Sequence, residues 1–208
     1  MNILAIDTST THGSVALLAG GALAFEERIT ADRSHSSSLF TTLEKVRAVT
    51  ERLDQIVVGL GPGSYAGVRI SIAAAIGLRL SLGARLVGIP SVAALETEAR
   101  EYVVIGDARR ESFYFSRIEN GVCAEGPLLA TEAELAERLK TVSALPLLAM
   151  AEVPQFPATQ IALPSAAILA RLGAEERGIV ATGDLEPIYL REPHITQPKS
   201  RGGLERLK

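Results

Sequence analysis

The sequence predicts an α/β fold of two related lobes, each a mixed sheet covered by helices. Two observations carry this. The same order of elements is written twice in 208 residues, and each copy places a hairpin signal between its second and third strands, Gly20-Gly21 in the first and Asn120-Gly121 in the second. A repeated three-strand meander, followed by alternating helices and strands, implies a duplicated unit with a cleft between its halves. The expected division is an N-terminal βββαβαβα lobe over 1–100 and a smaller C-terminal lobe with a tail over 101–208.

The first copy opens with NILAID at 2–7, a short apolar run that fits a buried strand. Strands over 14–19 and 22–29 flank Gly20-Gly21, a pair that tolerates positive φ. Apolar residues at Leu39, Leu43, Val46 and Leu53 form a helical seam over 34–53. A strand at 55–59 is stopped by Gly61-Pro62-Gly63. Ser64 then caps a long helix ending at Gly83. A strand at 85–89 follows, and Ser91 is the expected cap of a helix to about Arg100.

The second copy repeats this more faintly. The run YVVIG at 102–106 matches the first strand. Strands at 112–118 and 122–129 flank Asn120-Gly121, a type I′ signal. Thr131-Glu132-Ala133-Glu134 is a capping box that opens a helix to about Thr141. A strand is expected over 144–151. Pro154, Pro157 and Pro164 mark a loop, and Ser165 caps a helix with Ile168, Leu169 and Leu172 on its apolar face.

Composition excludes several classes. Apolar content of 47% and charged content of 22% describe a folded chain. A net charge of −3 argues against a general polyanion binder. The basic tail of Lys199, Arg201, Arg206 and Lys208 reads as solvated, with RNA contact as the alternative. The single Cys123 rules out an internal disulfide framework and fits a reducing cytosol, so a cytoplasmic location is expected. Met1 leads into a strand without a basic leader. The apolar stretch 70–84 is short for a membrane span and contains Arg79.

Asp7-Thr8-Ser9 ends the first strand and begins a hydroxyl-rich connection. An Asp in this place, followed by hairpin N–H groups, is how one group of phosphotransferases holds Mg-phosphate. Thr and Ser also close tight hairpins through side-chain to backbone bonds. The absence of glycines here favours that structural reading. The segment from Gly59 to Gly67 is glycine-rich, yet it matches neither the dinucleotide nor the P-loop spacing, and Pro62 removes an N–H. A structural turn is expected there. Ser64 is one position off a nucleophile elbow. The three histidines, His12, His35 and His194, contain no i, i+4 pair, so no metal site is expected.

The helix after this loop is apolar almost all round. Gly67, Ser71, Ala74, Gly77 and Ser81 line one side, and Val68, Ile72, Ile76, Leu80 and Leu82 cover much of the rest. Such a helix is buried on more than one side. The sheet covers one side. The 34–53 helix or another chain must cover the remainder. The expected partner face is Leu39, Leu43, Val46, Gly67, Val68, Ser71, Ile72, Ala75 and Ile76, paired with the same helices of a partner in a four-helix bundle. Burial within the monomer alone is the competing reading.

These residues carry a resemblance. The repeated pattern with Asp7 at the first strand end looks like the actin, Hsp70 and sugar kinase superfamily. More narrowly, the chain resembles the TsaB (YeaZ) family of tRNA threonylcarbamoyladenosine biosynthesis proteins. The matching segments are IDTST at 6–10, HSSSLF at 35–40, GLGPGSYAGVRI at 59–70, GIPSVAAL at 88–95, DARRESFY at 107–114 and PIYLR at 187–191. The resemblance implies a duplicated ribonuclease H-like fold. It implies a scaffold that binds the catalytic paralogue TsaD, which modifies position 37 of tRNAs reading codons that start with A. It also implies a TsaE-like P-loop ATPase as a further partner, with ATP and Mg used by those partners and tRNA met through the complex. A homodimer is expected when the chain is alone, and no membrane partner.

The residues fit a non-catalytic member of that superfamily. The hairpin at 106–111 carries Arg109, Arg110 and Glu111 where relatives use bare backbone, and the paired glycines of their adenosine motif have no counterpart, since Gly178 and Gly183 are isolated. Asp7, Thr8 and Ser9 are then a vestigial nucleotide site, with no cofactor held tightly. The alternatives are an acetate- or sugar-kinase-like phosphotransferase that uses Asp7, and a peptidase-like hydrolase, for which no nucleophile, base and orienter assemble.

Overall fold

The computed structural model describes residues 1–30, 35–181 and 185–191. In the first sheet, β1 (Asn2–Asp7), β2 (His12–Ala19) and β3 (Ala22–Thr30) form an antiparallel meander. Helix α1 (His35–Val49) leads to β4 (Gln55–Gly59), and α2 (Tyr65–Leu82) leads to β5 (Arg85–Ile89). Both later strands run parallel to β1, on its free edge.

The second sheet repeats the plan. β6 (Glu101–Asp107), β7 (Ser112–Glu119) and β8 (Val122–Thr131) form a meander, α3 (Glu132–Thr141) crosses over, and β9 (Leu147–Ala149) and β10 (Gln160–Ile161) extend β6 in parallel. Helix α4 (Ala166–Ala174) follows, and β11 (Ile179–Val180) returns to the outer edge of β5. The strand orders are β11-β5-β4-β1-β2-β3 and β10-β9-β6-β7-β8. Without β11, the two orders are the same, so the fold is the duplicated ribonuclease H-like α/β architecture.

Burial follows from strand alternation. On β1, Leu4 and Ile6 face α1 and α2, and Ile3 and Ala5 face the other way. All four are buried, as in central strands covered on both faces. The second face of the first sheet packs on α4, which supplies Ala166, Leu169 and Ala170, and on Tyr102, Val104, Tyr114 and Ile118 of the second sheet. The outer face of the second sheet is closed by Leu135 of α3, with Val103, Ile105 and Phe115 beneath it. Helix α4, expected as an element of the second copy, therefore covers the sheet of the first.

Local signals account for most boundaries. Ser64 Oγ accepts from the Gly67 N–H at 3.2 Å to start α2, and Gly83, with φ of 67°, ends it. The capping box at Thr131 and Glu134 is formed. Asn120 and Gly121 have φ of 49° and 74°, and Gly20 and Gly21 of 61° and 88°, as their turns require. Three expectations need correction. The first helix ends at Val49, and Leu53 is buried from the following loop instead; its expected start at Ser34 lies outside the described residues. The helix over 91–100 is only a 3-10 turn, Ser91–Ala94, after which Leu95 is extended and bridges Pro164. The strand over 144–151 shrinks to Leu147–Ala149, because the Leu145 N–H turns back to the Val142 carbonyl at 2.9 Å.

Candidate functional site

Two places bear on function: the end of β1, and the outer face of α1 and α2. At the first, Asp7 is only 1% exposed. Its Oδ1 accepts from the Ser9 N–H at 2.8 Å and the Ser9 hydroxyl at 2.7 Å. Its Oδ2 has no hydrogen-bond partner among the described residues. Burial pushes the carboxyl above its ordinary value, and the Ser9 hydroxyl, the nearby Ser91 hydroxyl, which is too poorly placed to bond Oδ2, and the Ser9 amide pull against that shift.

The rest of the strand-end loop is engaged by its own chain. The Thr8 hydroxyl donates to the Gly67 carbonyl at 2.7 Å, and the Ser64 N–H donates to the Ser9 carbonyl at 2.6 Å. Gly59, Gly63 and Gly67, four residues apart, all face this loop. A Cβ at Gly59 would overlap the Asp7 carboxylate, one at Gly63 the Ser9 carbonyl and one at Gly67 the Thr8 carbonyl. The glycine-rich segment thus serves close backbone approach within the chain, as the structural-turn reading expects. The Ser91 hydroxyl accepts from the Gly61 N–H at 3.0 Å and pins the same turn from the other side.

In the turn between β6 and β7, Arg109, Arg110 and Glu111 are three consecutive non-glycine residues with φ of 65°, 53° and 58°. Asp107 Oδ1 accepts from the Arg109 N–H at 2.6 Å and stabilises the turn. Among the described residues, no three His, Cys, Asp or Glu side chains gather as a metal site. His12 lies on the surface beside Thr11. The His35 side chain, His194, Gly183 and the basic tail 199–208 lie outside the described residues.

The described segment 185–191 touches both sheets. The Ile188 N–H donates to the Leu60 carbonyl at 2.8 Å. Arg69 donates to the hydroxyls of Tyr65 at 3.0 Å and Tyr189 at 3.3 Å, and Arg191 reaches Ser112 Oγ on the second sheet.

The helical face differs from expectation in detail. Leu39, Leu43, Val46, Gly67, Val68, Ser71, Ile72 and Ala75 are all buried against their own sheet or strand-end loop, and Ile76 is half-buried. The neighbour that approaches Gly67 is the chain's own Thr8. What α1 and α2 show outward is an apolar groove lined by Phe40, Leu43, Ile70, Ala73, Gly77 and Leu78, rimmed by Glu44 and Arg47. Phe40 is 52% exposed and Leu80 80%. Ile70, Ala73 and Leu78, which the expected face leaves out, line the groove beside Gly77 of the expected small-residue side. Helix α2 is also the one described helix long and apolar enough to cross a membrane by length and composition, and its inner side is in the core.

The comparisons agree with this architecture. The model of the family described as TsaD, tRNA N6-adenosine threonylcarbamoyltransferase, matches residues 29–139. An uncharacterized protein of Mycobacterium tuberculosis is 31% identical over 202 residues, 92% of each chain. The tRNA threonylcarbamoyladenosine biosynthesis protein TsaB of Haemophilus influenzae is 35% identical over 130 residues, 57% of this chain and 54% of that protein. The matched segment spans about half of the TsaB-named relatives and 40% of an uncharacterized Mycobacterium leprae protein. A crystal structure from Pseudomonas aeruginosa, titled as an uncharacterized protein with similarity to peptidase YEAZ, superposes with a TM-score of 0.72 at 25% identity, covering 91% of this chain and 99% of that one. With the family model matched over more than half of its length, the chain belongs to the TsaD-type threonylcarbamoyltransferase family, and it is similar to relatives named TsaB.

Proposed function

We propose that the chain is a non-catalytic scaffold in the formation of threonylcarbamoyladenosine on tRNA, and that it activates a catalytic TsaD-type paralogue by docking through α1 and α2. The observation that carries this is the outward apolar groove from Phe40 to Leu78. Exposed apolar surface of this kind marks an association site. The relatives named tRNA threonylcarbamoyladenosine biosynthesis protein TsaB support the pathway. Two similar helix pairs packed face to face make a four-helix bundle. In this reading the TsaE-like ATPase and tRNA are met in the complex, ATP and Mg are consumed by partner subunits, and the setting is the cytoplasm.

The chain holds no nucleotide tightly on this reading. Asp7 Oδ1 and the Thr8 hydroxyl are spent on internal bonds, and Arg109 and Arg110 occupy the second hairpin. The unpartnered Asp7 Oδ2 is the one observation that favours a phosphotransferase. Its burial opposes it. Calorimetric titration with Mg-ATP is expected to show no micromolar binding, and a micromolar isotherm abolished by Asp7→Asn would overturn the scaffold reading.

Reconstitution tests the docking. The paralogue of the same organism is assayed for tRNA modification with and without this chain. Activity is expected only in the mixture. Ala73→Glu places a charge in the groove from an exposed position, so the fold survives while affinity falls at least ~tenfold. Full binding by Ala73→Glu rejects the groove as the docking surface.

A further inference from the structure

The buried residues of α2 are Gly67, Val68, Ser71, Ile72, Ala74 and Ala75, all in its first two thirds. Beyond Ala75 no residue of the helix is fully buried, Leu80 is 80% exposed, and a Cβ at Gly77 would meet nothing within 4 Å. Ile76, Leu78 and Leu82 are only partly buried against the same core, so the helix is held most tightly at its N-terminal end. The grip is the strand-end loop. Asp7 holds Ser9, the Ser9 carbonyl receives the Ser64 N–H, and the Thr8 hydroxyl is bonded to the Gly67 carbonyl. Gly63 and Gly67 let the two backbones touch without an intervening side chain.

We infer that Thr8 and Ser9 are positioning residues for the docking face: the loop that ends β1 is a clasp that sets the tilt of α2, and through it the shape of the outward groove. Docking surfaces depend on complementarity at their centre. A helix held most tightly at one end passes a shift there along its axis to Gly77 and Leu78. Residues that face phosphate in related folds here do mechanical work on the interface. The inference rests on the reading that α1 and α2 form the docking face.

Thr8→Val keeps the shape of a buried side chain and deletes one hydrogen-bond donor. With the full chain and the TsaD-type paralogue, the dissociation constant is expected to rise about tenfold, and Thr8→Ser is expected to restore it. Leu135→Val under α3, far from α2, supplies a control that loses stability while its dissociation constant stays within about twofold of wild type. If Ala73→Glu abolishes binding and Thr8→Val binds as wild type, the clasp is wrong and the docking face stands. If Ala73→Glu binds normally, the docking face itself is wrong. Should Thr8→Val fail to fold, amide hydrogen exchange on the wild type decides. Amides of 68–72 are expected to exchange only with those of β1, and amides of 79–82 by faster local opening. Equal protection along the whole helix overturns the clasp.

Discussion

At Asp7 the cost of burial and the bonds from Ser9 oppose each other. Burial dominates, so the folded chain keeps the proton to higher pH than the ordinary value of 3.8. The folded state then binds more protons than the unfolded state between those two values. Stability contributed by this group is full below 3.8 and falls as pH rises through the window up to the folded value. Asp7→Asn keeps an acceptor for Ser9 and removes the charge. Its melting temperature relative to wild type is expected to improve as pH rises through that window, as read by scanning calorimetry. A difference that stays constant from acid to neutral pH contradicts the assignment. Asp7→Ala leaves the Ser9 amide and hydroxyl without their acceptor and costs about 1–3 kcal/mol. A strand-end Asp is visible in the sequence. The bond that consumes Thr8 is not, because Gly67 lies 59 positions away.

At the scale of elements, α2 was legible at both ends because Ser64 and Gly83 act locally. The turn at Ser91–Ala94 was not, since Ser91 offers its hydroxyl to the Gly61 N–H instead of capping a helix. A long-range bond diverted a local signal. The small-residue stripe on α2 was readable as a line of close approach, but the sequence does not say which backbone approaches. Ser71 is fully buried and its hydroxyl donates to the Val68 carbonyl at 3.0 Å. Ser71→Phe is therefore expected to destabilise the isolated chain by ~1–3 kcal/mol or more through overpacking. Denaturant unfolding checks this: an unchanged midpoint would return Ser71 to an outer surface.

For the whole molecule, the repeated order of elements along the chain was legible and the sharing between lobes was not. The repeat in the sequence suggests two units that each keep their own helices, yet α4 closes the first sheet and β11 lengthens it. With both faces of that sheet covered, the groove over α1 and α2 is an outward apolar surface on an otherwise completed fold. An isologous dimer through it is expected when the chain is purified alone. Light scattering is expected to show a dimer for wild type and a folded monomer for Phe40→Glu. Monomers in both samples at tens of micromolar, as a rough working range, would count against the face. The lateness of α4 has a further cost during synthesis. The five longer strands of the first sheet, β1 to β5, are complete at Ile89, but the helix that roofs their inner face ends at Ala174. At ribosomal elongation rates the nascent sheet waits roughly 5–15 s with Ile3, Ala5, Leu18 and Val57 bare. In that interval the half-made chain is a client for chaperones, whatever the stability of the finished protein.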